Sequence, residues 1–239
     1  MRQTRVYDPY FLQSRQAPIH INCSISLSTN VIDFNQIVKE AFAEDVPFGI
    51  VGLHPCGDLG PALLRLYQEC HNIKFITIVG CCYMKLTSES EMTSNAYGYP
   101  LSQFSLENKF HLSYNAREVA CHALESYIER LKRNEHWQLK IHCYRAALEY
   151  LIVQHFPEYH HSGLANVKYE SKMSFSEYCS KAVKHVHINL SEKEINSDVI
   201  KAFLDEWKAV LAFYTVRLLF APLIESTILL DRYLYLHEN

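Results

Sequence analysis

Apolar and polar residues alternate strictly through Ile19-His-Ile-Asn-Cys-Ser-Ile-Ser-Leu27, a period of two that predicts a half-buried strand. The pattern then changes to apolar positions at 31, 34, 38, 41 and 42, which predicts a helix over Val31 to Phe42. Phe48-Gly-Ile-Val-Gly-Leu53 is a short continuous apolar run, followed by the turn-forming stretch His54-Pro-Cys-Gly-Asp-Leu-Gly-Pro61. Helical spacing resumes from Ala62 to Cys70, with Gly60 as the expected cap and Pro61 at the first helical position. A second buried-type run, Phe75-Ile-Thr-Ile-Val-Gly-Cys-Cys82, follows. Strand, helix and strand at this spacing predict a parallel βαβ crossover, with strands over about 48 to 53 and 75 to 81 side by side.

From Leu101 onward the periodicity is helical. Ala120, Leu124, Tyr127, Ile128 and Leu131 form one stripe, and Trp137, Ile141, Tyr144, Leu148 and Leu151 another. Ser174-Phe-Ser-Glu177 and Ser191-Glu-Lys-Glu194 have capping-box spacing; the second is expected to open a long helix reaching about Phe220. Pro222 kinks or restarts it, and a helix over 222 to 237 places Leu223, Thr227, Leu230, Leu234 and Tyr235 on its apolar face. These patterns divide the chain into an α/β part, residues 1–95, and a mainly helical part, residues 96–239, packed on it. Thr87 to Tyr99 is expected to be a mobile loop.

The 239 residues are 49% hydrophobic and 21% charged, with a net charge of −3, which is a globular composition and excludes fibrous and disordered classes. The most apolar stretch, Ala209 to Ile224, is interrupted by Arg217 and Pro222 and reads as a buried helix, so no membrane association is expected. The first residues carry no apolar h-region. The eight cysteines then read as reduced thiols, placing the protein in the cytoplasm or nucleus. No two of the seven glycines stand in a Gly-x-Gly spacing, so neither a P-loop nor a dinucleotide fingerprint is present.

Ligands of parallel α/β sheets bind at the carboxyl ends of strands. His54, Cys56 and Asp58 follow the first apolar run and are the candidate catalytic groups; Cys81, Cys82, Tyr83 and Lys85 follow the second and are the candidate substrate-binding groups. Neighbouring strand ends lie about 5 Å apart, so these side chains would share one rim. His54 and Asp58 could equally cap the helix or hold the turn, and the cysteines could be small buried hydrophobes. His-x-Cys with an adjacent Cys-Cys is not a standard zinc spacing, so no metal is assigned. His160-His161 reads as a surface loop without an acidic or cysteine partner. Arg130, Lys132, Arg133 and Lys140 make a modest basic patch, compatible with RNA but common as a solvated face.

Three stretches carry a resemblance: Val51-Gly-Leu-His-Pro-Cys-Gly-Asp-Leu-Gly-Pro-Ala-Leu-Leu-Arg65, Ile78-Val-Gly-Cys-Cys-Tyr-Met-Lys-Leu-Thr87 and Ala221-Pro-Leu-Ile-Glu-Ser-Thr-Ile-Leu-Leu-Asp-Arg-Tyr-Leu-Tyr-Leu-His-Glu238. Tyr99-Pro-Leu-Ser-Gln-Phe104 and Tyr144-Arg-Ala-Ala-Leu-Glu149 add to it. Together they resemble the methyltransferase-like protein 25 family, including its branch named for a ribosomal RNA adenine dimethylase domain. The resemblance implies a partial class I methyltransferase sheet, Rossmann-like, with a large helical insertion, and S-adenosylmethionine as cofactor. The strand at Ile19 to Leu27 would then be the third of that sheet, and the two apolar runs the fourth and fifth. The family's Asp-x-Gly-x-Gly-like cofactor loop and its closing Phe-Asp-Pro and Ser-Pro-Arg-Asn segments have no counterpart here. Gly60 and Pro55 stand where Ser and Thr are usual. The resemblance therefore implies a member truncated at both ends and inactive as a fragment.

Two functions follow as expectations. One is methyl transfer at the rim, with His54 or Asp58 as base and RNA as the substrate class. The turn His54-Pro-Cys-Gly lacks the aromatic residue that adenine N6 methylation uses to hold a flipped base, which favours a hydroxyl or a protein side chain as acceptor. The other is a non-catalytic module whose helical half docks a protein partner.

Overall fold

The computed structural model describes residues 18–42, 46–88, 96–121, 124–133, 136–160, 163–168, 170 and 172–239. The chain forms two compact units, one of residues 1–111 with 228–239 and the other of residues 112–227. The sequence-based division falls at residue 95/96. The units are cut differently because the last turns of the C-terminal helix are hydrogen-bonded to residues 101–104.

In the first unit, α1 (Val31–Phe42) precedes β1 (Phe48–Leu53), α2 (Leu59–Glu69) and β2 (Ile73–Val79). The strands are parallel, with Gly49 opposite Phe75 and Leu53 opposite Val79, so the predicted βαβ crossover is present. Gly49 is required by this register: a Cβ there would stand 2.1 Å from Phe75 Cζ. Phe34 of α1, Leu66 of α2 and Ile73 of β2 bury one another, with Val38, Phe48 and Ile50 against them. The helix α2 begins two residues before Pro61, at Leu59, after Asp58. A further short helix, α3 (Gln103–Glu107), is capped by Ser102, whose side chain accepts from Ser105 N.

The expected strand over Ile19 to Leu27 is not formed. Residues 18–26 have no regular structure, and Ser26 to Thr29 close a turn through Thr29 N to Ser26 O at 3.0 Å. Alternation supplies two faces, but a strand also needs a neighbouring ladder. Among the described residues β1 and β2 pair only with each other, and Ile19 and Ile21 are exposed. The outer positions of the pair are open as well: Val51 is 67% and Leu53 76% exposed.

The second unit is helical: α4 (Tyr114–Val119), α5 (Leu124–Lys132), α6 (His136–Leu139), α7 (Ile141–His155), α8 (Phe175–Ala182), α9 (Glu192–Ile195), α10 (Asp198–Asp205), α11 (Trp207–Leu218) and the first turns of α12 (Ala221–Glu238). Its core is built on α7, where Tyr144, Leu148, Leu151 and Ile152 are buried with Phe175, Tyr178 and Cys179 of α8 and Ile200 of α10. Ser191 and Glu194 complete a reciprocal capping box. Ser174 caps α8, but Glu177 turns its carboxylate to Lys181 Nζ at 2.7 Å.

The long helix expected from Ser191 to Phe220 is three. Ser197 accepts from Ile200 N and starts α10 afresh, as hydroxyl caps compete with helix continuation. The stretch Ala209 to Ile224 is not buried either: Phe213, Val216, Leu219, Phe220 and Leu223 are exposed, because apolar residues surround the helix and one face cannot hide them all. By length and composition only, an 18-residue stretch within Trp207–Glu238, with mean hydropathy 1.5, is apolar enough to cross a membrane. His160 Nε2 lies 3.7 Å from Glu149 Oε1, so this histidine does have an acidic neighbour. Much of the expected mobile loop, residues 89–95, lies outside the described residues.

Candidate functional site

Because β1 and β2 are parallel, both deliver their carboxyl ends to one edge of the first unit. The ladder extends one residue further, His54 N donating to Val79 O at 3.2 Å. There the chain turns sharply. His54 takes φ 58°, a left-handed conformation uncommon outside glycine, and its side chain is exposed. Gly57 takes φ 56°, and a Cβ there would stand 2.7 Å from the Lys85 carbonyl oxygen. The conformation and the close approach together demand glycine. This contact clamps the turn after β1 onto the 3-10 turn Tyr83–Lys85 that follows β2.

The clamp brings three sulfurs together. Cys56 Sγ lies 3.5 Å from Cys81 Sγ and 3.2 Å from Cys82 Sγ, and the latter two are 3.5 Å apart. All three are free thiols of intermediate exposure. The Cys82 and Cys81 thiols beside Cys56 stabilise its thiolate, with help from the Lys85 charge, and hold its pKa below the ordinary value. Cys81 is raised, first by desolvation. Cys82 is pushed up to about 12, chiefly by its contact with Cys56. The trio thus favours one negative charge, centred on Cys56.

Asp58 does not face open solvent as a free base. Its carboxylate accepts from Thr87 N at 2.9 Å and Thr87 Oγ1 at 2.8 Å, fastening the start of α2 to the segment after the 3-10 turn. Its side chain makes no cap to α2. Tyr83, expected on the rim, is 3% exposed and lies beneath it; the Arg232 guanidinium stands 5.6 Å from its ring centroid. Lys85 is exposed. The rim therefore presents His54, Cys56, Cys81, Cys82 and Lys85, while Asp58 and Tyr83 support it from below.

Two supporting residues escape the sequence reading. Asp231 and Arg232, on the α12 turns of this unit, are buried. Asp231 accepts from Leu101 N, Ser102 N and Ser102 Oγ at 2.8, 3.1 and 2.7 Å. Burial pulls the Arg232 guanidinium down from its ordinary pKa, opposed by Tyr83 and Asp231. The α12 helix is as expected, but its buried face is not: Ile228, Asp231 and Arg232 are inside, while Leu223 and Leu230 are exposed. Apolar periodicity cannot find a face buried through an ion and its hydrogen bonds.

Residues 13–89 match a family model described as a methyltransferase domain. That stretch contains the βαβ unit and the whole rim. The chain is 30% identical over 200 residues to the probable methyltransferase-like protein 25 of Mus musculus, covering 80% of this chain and 32% of that protein. It is 31% identical over 199 residues to the Homo sapiens protein of the same name, with the same two shares. The chain thus spans about a third of the length of the curated relatives it matches. No solved structure gives a significant match. The class is that of methyltransferase-domain proteins with a partial Rossmann-like α/β fold and a helical half. Within it, four fifths of the chain is similar to methyltransferase-like protein 25.

Proposed function

We propose that these residues form the acceptor side of an S-adenosylmethionine-dependent methyltransferase, with RNA as the substrate class. The observation that carries this reading is the shared carboxyl edge of β1 and β2, where the His54 turn and the Cys81–Lys85 turn meet inside the matched methyltransferase domain. His54 is the group free to take a proton from an acceptor, being exposed at the strand end. Cys56, Cys81 and Cys82 flank it, and Lys85 offers a cation to a phosphate. In the second unit, the exposed Arg130, Lys132 and Arg133 offer charge to RNA phosphates in their own right, and the location is the cytoplasm or the nucleus. The adenosylmethionine loop is not among these residues, since they hold no Gly-x-Gly turn. The chain itself is accordingly expected to bind no measurable cofactor in calorimetry, the rim offering too few contacts to offset the ordering cost.

The test is made in the full-length mouse relative. Replacing the residue aligned with His54 by Ala is expected to abolish transfer of labelled methyl groups to RNA while leaving cofactor affinity within about threefold. Unchanged transfer in that variant would remove His54 from the reaction, and label appearing only in protein would overturn the RNA assignment.

A second reading is a protein-docking module without catalysis, favoured by the exposed apolar side chains Phe213, Val216, Leu219, Phe220 and Leu223. It predicts no thermal shift of the full-length relative with S-adenosylmethionine, whereas a bound cofactor must raise the melting temperature.

A further inference from the structure

Three thiols from two separate turns converge within 4.8 Å of one another. A single zinc ion with Zn–S bonds of about 2.3 Å in tetrahedral geometry needs sulfurs about 3.8 Å apart. The observed separations of 3.2 to 3.5 Å reach that value with an outward movement of a few tenths of an ångström, available to side chains that are only partly buried. The sulfurs are far from the roughly 2.05 Å of a disulfide, and all three are free. Steric demand at Gly57 and the left-handed turn at His54 hold Cys56 against the Cys81-Cys82 pair, so the triangle is set by the backbone of the clamp.

We infer that Cys56, Cys81 and Cys82 bind one zinc ion at the carboxyl edge of the β1–β2 pair, leaving its fourth coordination position open. Sequence spacing argues against this because one ligand stands 25 residues before the other two, which are adjacent; the parallel crossover removes that objection by placing both turns on the same edge. Thiolate is the ligand class that selects a thiophilic ion over magnesium or calcium. Three thiolates on a divalent ion leave one negative charge, and the Lys85 ammonium acts electrostatically on Cys56 with the sign that offsets it. Each thiol loses its proton to solvent as the metal enters. Intermediate exposure provides the entry path and leaves the fourth position to water or to a donor atom of a bound substrate, as in zinc sites that act on ligands.

The inference stands apart from methyl transfer, and its test needs no adenosylmethionine. Protein purified under reducing conditions, stripped with chelator and resupplied with zinc is expected to retain about one ion per chain. Cobalt in its place should give sulfur-to-metal charge-transfer absorption with tetrahedral ligand-field bands. Cys56→Ser and Cys82→Ser should each weaken zinc binding by about tenfold or more, while Cys23→Ser, outside the trio, should not. Should a serine variant fail to fold, the wild-type chain suffices: bound zinc is expected to protect Cys56, Cys81 and Cys82 from alkylation, mapped by peptide mass. Failure to retain zinc, full retention by a folded Cys56→Ser variant, or alkylation of the trio unaffected by zinc would each overturn the site.

Discussion

The Asp58 carboxylate accepts both the backbone N–H and the hydroxyl of Thr87, at 2.9 and 2.8 Å. Gly98 completes the joint: its N–H donates to Thr87 Oγ1 at 3.1 Å, and a Cβ on it would stand 2.0 Å from Asp58 Oδ1. The same carboxylate thus fixes the turn after β1 relative to the turn after β2, and with it the positions of Cys56 and Cys82.

This makes the role of Asp58 separable by substitution. Asp58→Ala removes both acceptors and should cost about 2 kcal/mol, in the range of hydrogen bonds to a charged group. Asp58→Asn can still accept from Thr87 N and can donate from its amide to Thr87 Oγ1, so it should keep most of that stability. A thermal melt of the two variants reads the difference. Equal destabilisation by both would mean that charge, not bracing, is what the site needs from this residue.

Cys56 should be the most reactive thiol of its cluster in reduced, metal-free protein. Its pKa lies below the usual 9.0, while that of Cys82 is about 12, and the thiolate is the nucleophile. A limiting amount of iodoacetamide near neutral pH is expected to label Cys56 well before Cys82. The rate at Cys56 should rise with pH to a plateau reached below the ordinary thiol range. In Cys81→Ser combined with Cys82→Ser, the loss of both thiol neighbours should move that plateau upward. Peptide mapping against time checks this, and equal rates at Cys56 and Cys82 would contradict it.

The elements legible in the sequence are those whose signal is local. Continuous apolar runs gave β1 and β2, and the length of the connection gave their parallel sense. Ser191 and Glu194 announced a helix start, and the Pro222 restart placed α12. What local pattern could not carry is partnership. The alternation at Ile19 to Leu27 describes a strand that has no ladder, and the apolar stretch from Ala209 to Ile224 describes a core helix that is largely exposed. At the site, the strand-end rule singled out His54, Cys56, Asp58, Cys81, Cys82, Tyr83 and Lys85. It could not show that Asp58 is held by Thr87, that Tyr83 lies buried against Arg232, or that three sulfurs meet, because each of these depends on how two turns are clamped.

Asp231 braces α12 as Asp58 braces the turn after β1. It is buried, and its carboxylate takes three donors from Leu101 and Ser102. Asp231→Ala would strand the backbone N–H groups of Leu101 and Ser102, while the Ser102 hydroxyl can turn to Ser105 Oγ at 2.8 Å, at a cost on the order of 3 kcal/mol. Asp231→Leu, similar in size, should be no better, since the donors stay orphaned. Chemical denaturation with the slope held constant measures both. A loss below 1 kcal/mol would show that water reaches Leu101 and Ser102 in the folded chain.

The helical core of residues 112–227 should give way at high pH. Burial raises Tyr178 and Cys179, neighbours on α8, to about 12 each from ordinary values of 10.0 and 9.0, and Tyr214 of α11 likewise to about 12. In each case the folded state keeps its proton over a range in which the unfolded chain has lost it. The unfolded state therefore binds fewer protons, and stability falls as pH rises through that window. It is fully present below about pH 9, declines from there to about 12, and has no further contribution from these groups above. Tyr178 touches Tyr144, with ring centroids 5.7 Å apart, so ionising it would place a phenolate inside an aromatic cluster. The expected observation is a cooperative loss of helical circular dichroism between pH 10 and 12, with tyrosinate absorbance appearing in the same step. Tyr178→Phe removes the ionisable group while keeping the ring, and should shift the transition to higher pH. Tyrosinate absorbance that develops at ordinary pH with the helices intact would show that these side chains are not sealed in the core.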